Sequence, residues 1–286
     1  MTRRFGVVLL LLVCVPNSAL SDEFYFESNG VKIRYVVEGQ GEPVLLIHEF
    51  SADMERNWVG PGVFAKLAKG YRTIAYDNRG HGKSDKPHEP TKYGKEMVED
   101  AVRLLDHLDV KRAHVVGYSM GASIVTRFLI DHPDRLLSAT LGGNAGKLEG
   151  ADFSFYEQLA DDLDAGKGAI RLFIALRPPG QPPQPEEQLK AINAGFVAAN
   201  DQKALAAVMR GARHWAVPEA SLKANNVPVL ALIGSLDPLK RDVDALSSRL
   251  SGMTTVVIEG ANHMTAVSRP EFATELLNFL EKHHAN

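Results

Sequence analysis

Apolar residues along this chain follow two patterns that alternate. One is a short, nearly unbroken apolar run that stops abruptly, seen at 43–48, 72–77, 113–118, 137–142, 227–234 and 254–259. A strand covered on one face alternates apolar with polar, so unbroken runs predict strands buried on both faces, as in parallel sheets. Ahead of them, 23–28 and 31–38 flank Asn29-Gly30, the dipeptide best suited to a tight hairpin. The other pattern is helical. Between 92 and 108, Met97, Ala101, Leu104, Leu105 and Leu108 recur at steps of mostly three or four, which makes one apolar stripe. Ile124, Val125, Phe128 and Leu129 continue in the same way over 119–132, up to Pro133, and Phe272, Leu276, Leu277, Phe279 and Leu280 form a last stripe. This alternation predicts an α/β sandwich: a mostly parallel sheet of roughly eight strands with helices on both faces.

The stretch 147–217 departs from that rhythm. Helical runs dominate, divided by the proline cluster from Arg177 to Pro185. A strandless stretch of this length is too long for a plain loop, so a helical cap inserted over the sheet is expected. That leaves 22–146 and 218–286 as the core. The first 21 residues differ again. Arg3 and Arg4 precede an apolar run from Phe5 to Val15, and Ala19 and Ser21 are small. The run is about half the ~20 residues a membrane-crossing helix needs. It therefore predicts a secretory leader cleaved after Ser21 and a secreted or periplasmic protein, with an uncleaved membrane anchor as the alternative.

Composition narrows the chemistry. The chain has 286 residues, a formal net charge of −3 and no basic run interleaved with aromatics. Neither nucleic acid nor an anionic membrane is indicated as partner, and a small molecule is expected instead. The single cysteine, Cys14, lies in the leader. A mature chain without thiols has no disulfide, no cysteine-bound zinc and no cysteine nucleophile. No histidine pair at helical spacing has a carboxylate nearby, and no glycine-rich nucleotide loop follows the first strand, so no metal and no cofactor is expected.

What chemistry remains centres on Gly117-Tyr118-Ser119-Met120-Gly121, between a strand-like run and a helical one. A tight strand-to-helix turn of the G-x-S-x-G type exposes the serine hydroxyl, and its glycines let backbone segments approach where a Cβ would clash. Serine needs a neighbouring base to become a nucleophile. Of ten histidines, His263 follows the last strand behind the small residues Gly260 and Ala261, with His214 as the rival. An imidazole base needs a carboxylate on its far nitrogen. Asp237 follows the preceding strand, and Asp242 and Asp244 are the alternatives.

With these residues in place, the chain resembles the α/β-hydrolase fold superfamily, in its serine-nucleophile branch. Asp77-Asn-Arg-Gly-His-Gly-Lys-Ser84 is similar to the D-x-R-G-x-G-x-S loop, Gly234-Ser-Leu-Asp237 to the acid loop, and Gly260-Ala-Asn-His263 to the histidine loop. The order Ser119, Asp237, His263 is that of the superfamily. The resemblance implies that the D-x-R-G loop is structural, and that the backbone N–H groups of Phe50 and Met120 form the oxyanion hole. Relatives carry His-Gly after the third strand, whereas this chain reads His48-Glu49-Phe50. A charged carboxylate there would oppose the oxyanion. Glu49 is therefore expected to point away and to act on substrate choice or at the entrance.

Serine at the elbow implies acyl transfer, with carboxylic esters as the leading substrate class and lactones and thioesters included. The elbow is also similar to those of non-haem haloperoxidases (perhydrolases) and of C–C bond hydrolases. From another class, a non-catalytic ligand-binding protein on the same scaffold is the alternative, and the intact serine, aspartate and histidine set weighs against it.

Overall fold

The computed structural model describes residues 22–250 and 252–284; the expected leader, 1–21, lies outside the described residues. Eight strands form one sheet: β1 (Phe24–Ser28), β2 (Val31–Glu38), β3 (Pro43–Ile47), β4 (Arg72–Tyr76), β5 (Ala113–Tyr118), β6 (Leu136–Gly142), β7 (Val229–Gly234) and β8 (Met253–Ile258), in the order β1-β2-β4-β3-β5-β6-β7-β8. The pairs β1–β2 and β2–β4 are antiparallel, and all others are parallel. Asn29 and Gly30 both have positive φ, 51° and 76°, as a two-residue hairpin turn requires.

The helices are α1 (Val63–Leu67), α2 (Lys95–His107), α3 (Met120–Asp131), α4 (Ser154–Asp164), α5 (Ile170–Ala175), α6 (Glu186–Ala199), α7 (Gln202–Gly211), α8 (Glu219–Lys223), α9 (Lys240–Ser247) and α10 (Pro270–Glu281). Alternate strand residues serve opposite layers, because the side-chain period of a strand is two. Leu45, Ile47, Val115, Ala139 and Leu141 join the buried residues of α2, α3 and α9. Val44, Leu46, Val116 and Tyr118 join those of α1 and α10. The unbroken apolar runs exist because both layers must be filled.

Helices α4 to α7 lie between β6 and β7. The two ends of this segment meet in a parallel bridge of Leu148 with Val217, where Val217 N–H donates to Lys147 C=O at 3.0 Å and Glu149 N–H to Val217 C=O at 3.0 Å. Leu159, Leu163, Leu205, Val208 and Trp215 join the same apolar cluster as α2 and α3. The segment thus packs on the sheet's helical layer and is closed at its own base. Among the described residues no helix is long and apolar enough to cross a membrane.

Parallel register sets up the site. Ile47 pairs with Gly117, so the loop after β3 leaves the sheet beside the turn after β5. Ile233 and Gly234 pair with Val257 and Ile258, so the loops after β7 and β8 leave together. All four loops emerge at the carboxyl ends of parallel strands, where open α/β sheets bind ligands.

Candidate active site

Ser119 sits between β5 and α3 at φ 52°, ψ −108°. A non-glycine residue held there costs about 1–3 kcal/mol and persists only where its surroundings impose it. Here they do. Ser119 N–H donates to Gly142 C=O at 2.7 Å. A Cβ on Gly117 would stand 2.2 Å from Gly121 O, and one on Gly121 would stand 2.1 Å from Ile47 O. Only glycines allow α3 to start this close to β3 and β5. The Asn144 side chain donates to Ser119 C=O at 3.3 Å and to Ser123 Oγ at 3.0 Å. The hydroxyl is thereby lifted above the first turn of α3, where unpaired helix N–H groups favour negative charge.

The loops after β7 and β8 are locked to each other before they meet the serine. Leu236 N–H donates to Ala261 C=O at 2.9 Å, and Gly260 N–H to Ser235 Oγ at 2.9 Å. A Cβ on Gly234 would lie 2.3 Å from Ala261 O. Across the pair, His263 Nδ1 lies 2.8 Å from Asp237 Oδ2, and His263 Nε2 lies 2.9 Å from Ser119 Oγ. Asp237 Oδ1 accepts from Leu239 N–H at 2.9 Å. A carboxylate only accepts, so Nδ1 carries the proton and Nε2 presents its lone pair to the hydroxyl. His263 and Asp237 are 1% and 3% exposed, while Ser119 is half-buried. The relay is dry behind and open in front.

Beside the turn, His48 Nδ1–H donates to Glu49 C=O at 2.7 Å and its Nε2 accepts from Asn78 N–H at 2.9 Å. Both ring nitrogens are used by a neutral imidazole, and burial pushes its pKa below the ordinary value. Asn57 Oδ1 takes the N–H of Glu49 at 2.8 Å. The next N–H in the loop is that of Phe50, and Phe50 and Met120 both line a cavity of about 1070 Å³ with Ser119 and His263.

Glu49 departs from expectation. Its side chain does not turn to bulk solvent; it is half-buried and lines the same cavity as Ser119 and His263. Desolvation pushes its carboxyl up to about 7, against a smaller downward pull from His263. The tight loop explains the direction: with its N–H tied to Asn57 and its C=O tied to His48, the residue faces inward over the turn.

The other side of the cavity comes from the helical segment and the start of α9. From 147–217, Phe155, Tyr156, Leu172, Phe173 and Trp215 line it, and Phe153 does not. His214, the rival base, is exposed, and Asp242 lines the outer part of the cavity without reaching His263. Sequence reasoning missed Asn57, Asn144 and Tyr118, whose hydroxyl donates to His263 C=O at 2.6 Å. Tyr118 stands in the x position of the motif, and the motif leaves that residue open; Asn57 and Asn144 reach the site through loops with no spacing rule. Among the described residues no cluster of three or more His, Cys, Asp or Glu could hold a metal.

The chain is similar to known proteins. A family model for the alpha/beta hydrolase fold matches residues 42–270. The chain is 36% identical over 110 residues to epoxide hydrolase 3 of Siraitia grosvenorii, covering 38% of this chain and 34% of that protein. The matched stretches span 32% and 51% of the length of two further curated relatives. It superposes on the enol-lactonase from Burkholderia xenovorans LB400 with a TM-score of 0.75 at 22% identity, over 90% of this chain and 99% of that one. An N-acyl homoserine lactone degrading enzyme gives a TM-score of 0.67 at 26% identity, over 90% and 99% of the two chains.

Proposed function

Because the chain belongs to the alpha/beta hydrolase fold family, we propose that it is a serine hydrolase that cleaves carboxylic esters, lactones and thioesters included, through an acyl-enzyme. The hydrogen-bonded series Asp237, His263, Ser119 carries this proposal. His263 Nε2 takes the proton as Ser119 Oγ attacks the carbonyl, and Asp237 holds the tautomer and offsets the imidazolium. The N–H groups of Phe50 and Met120 receive the oxyanion, where loss of one such donor typically costs about 10²–10³ in rate. His263 then protonates the leaving group and activates the water that opens the acyl-enzyme.

Serine chemistry weighs against epoxide opening. Attack by a serine hydroxyl on an epoxide carbon gives an alkyl ether, which water does not open, whereas an acyl ester has a carbonyl for water to attack. The lactone names of two solved structures of this fold fit the same acyl chemistry. The segment 147–217 acts as a cap, and its aromatic side chains favour an apolar acyl or alcohol group on a small-molecule substrate. The expected leader at 1–21 makes the enzyme an exported one.

The test is direct. The folded protein should give a burst of p-nitrophenol from a short-chain ester and label with a fluorophosphonate, and Ser119→Ala should do neither. A folded wild-type protein that neither labels nor turns over would refute the proposal, and would favour a ligand-binding role for the scaffold.

A further inference from the structure

We propose that the protonated carboxyl of Glu49 donates a hydrogen bond to the oxygen developing at the reacting carbonyl, as a third oxyanion donor beside Phe50 and Met120. This deepens the serine-hydrolase proposal and rests on it.

The geometry comes first. Glu49 immediately precedes Phe50, and its backbone is clamped on both sides, by Asn57 on the N–H at 2.8 Å and by His48 on the C=O at 2.7 Å. Glu49 lines the cavity wall that also carries Ser119, Met120 and His263, and its carboxyl lies near enough to His263 to feel its charge. Among the described residues that carboxyl makes no hydrogen bond and no ion pair, although the chain forms ion pairs throughout. A carboxyl drawn out of bulk water without a partner is costly as an anion and cheaper as an acid. As an acid it has one O–H to donate. The substrate's oxygen is the acceptor the site is built to receive.

The charged groups around it do not reverse this. His263, on the loop after β8, is the one that acts on it directly, and its Nδ1 is taken by Asp237. From the loop after β3, Arg56 is paired with Asp53, and His48 is neutral with both nitrogens used. Tyr118, below the turn, is itself held neutral, first by burial and then by the negative charge of Glu49 and Asp237 when ionised. His81, which packs edge-on against the Phe50 ring, is neutral as well, with its pKa pushed down to about 3 by burial and by His48. On the far wall Lys240 pairs with Asp244 and Arg241 with Asp242; Lys147 lies over the Tyr156 ring, with Asp152 attracted to it. Among the described residues no charged group other than His263 pulls Glu49 toward its ionised form. Burial accordingly pushes its carboxyl up to about 7.

The consequence is an activity that falls as Glu49 ionises, since loss of the proton replaces a donor with a negative charge facing the oxyanion. Glutamine keeps a donor and cannot ionise. Every other group is common to both proteins, so the ratio of kcat/KM for Glu49→Gln over wild type isolates Glu49. We expect that ratio to be level in acid and to rise about tenfold per pH unit well above 7. Glu49→Ala, with no donor, should fall about tenfold or more below Glu49→Gln at pH 6. A second readout needs no turnover. A carboxyl whose pKa is raised on folding stabilises the fold below the ordinary carboxylate range and loses that contribution as pH rises through about 7. Glu49→Gln should therefore melt higher than wild type at pH 8 by more than it does at pH 5.

A flat activity ratio, or a melting difference independent of pH, overturns the inference while leaving the hydrolase proposal intact. Equal activity of Glu49→Ala and Glu49→Gln at pH 6 overturns the donor role specifically. A wild-type protein without a burst that depends on Ser119 overturns the hydrolase proposal, and the donor role falls with it.

Discussion

Two sets of polar residues lie buried at the same edge of the sheet, and they differ in how completely they are satisfied. In the loop after β4, Asp77 accepts from Met54 N–H at 3.0 Å, Lys83 N–H at 2.8 Å and Arg34 Nη1 at 3.2 Å. Ser84 Oγ donates to Asp77 C=O at 2.7 Å and accepts from Arg34 N–H at 2.9 Å. Arg79 grips Asp100 with two bonds of 2.6 Å and donates to Lys92 C=O at 2.6 Å. A few atoms there, such as Arg34 Nε, His81 Nε2 and Asn78 Oδ1, lack a protein partner, but each charged group is held by several bonds and none of them lines the cavity. In the loops after β3, β5 and β8 the backbone is equally well tied, yet Ser119 Oγ and the Glu49 carboxyl keep capacity that faces the cavity. Polar groups that are saturated act as framework. Those left open toward an accessible space are where chemistry can occur.

If that distinction is right, substitutions in the two sets separate stability from turnover. The largest expected effect is at the nucleophile. Ser119→Ala should lower kcat by about 10⁴-fold or more, equivalent to at least ~5.5 kcal/mol of barrier. Its melting temperature should hold or rise, because the hydroxyl's partner, His263 Nε2, belongs to a residue that lines the cavity and is not sealed in the core. A marked loss of melting temperature would move Ser119 into the framework set. Asp237→Asn should follow, with kcat down about 10⁴-fold because the amide can donate to Nδ1 and favour the wrong tautomer. Steady-state kinetics on protein whose folding is verified by circular dichroism checks both.

The framework set comes next. Arg79→Ala leaves the Asp100 carboxylate buried, at 1% exposure, with only the Ser28 hydroxyl and a longer contact to Arg103 at 3.8 Å. Breaking such a pair costs about 3–5 kcal/mol. Urea unfolding should show that loss, while labelling of Ser119 by a fluorophosphonate in the folded fraction should proceed at nearly the wild-type rate. A variant as stable as wild type but slow to label would erase the contrast between the two loops.

Much of this arrangement is legible in the sequence because it rests on local rules. The unbroken apolar runs became β3 to β8 because each strand fills two layers, and Asn29-Gly30 became a hairpin because both residues have the needed positive φ. The glycines at 117 and 121 locate the sharp turn for the same kind of reason, a close approach that no Cβ allows. Boundaries were less legible. The first amphipathic stripe, expected from 92, starts as a helix at Lys95, after a short turn at Pro90–Lys92 and Gly94 at φ 65°. Side-chain contacts to loop backbone were not legible at all. Glu49 faces inward because Asn57 and His48 hold its backbone, and nothing in the spacing of those residues announces a clamp. A charged side chain in a loop is ordinarily at the surface, and that prior is what failed.

Tyr118 falls between the two sets and gives the smallest, most discriminating effect. Its ring is buried, edge-on to Phe272 at 5.9 Å between centroids, and its hydroxyl donates to the carbonyl of His263 at 2.6 Å, the residue whose imidazole faces Ser119. Tyr118→Phe keeps the ring and leaves that carbonyl without its donor, which should cost about 1–2 kcal/mol of stability. If the bond only closes the fold, melting temperature falls and kcat of the folded protein is unchanged. If it also fixes the height of the imidazole, kcat should fall about tenfold with little change in KM, because misplaced groups lose rate before they lose binding. We expect the second result. The backbone of His263 is tied at this carbonyl while its side chain must stay free to move a proton, so the rigidity of the relay has to come from the main chain beneath it.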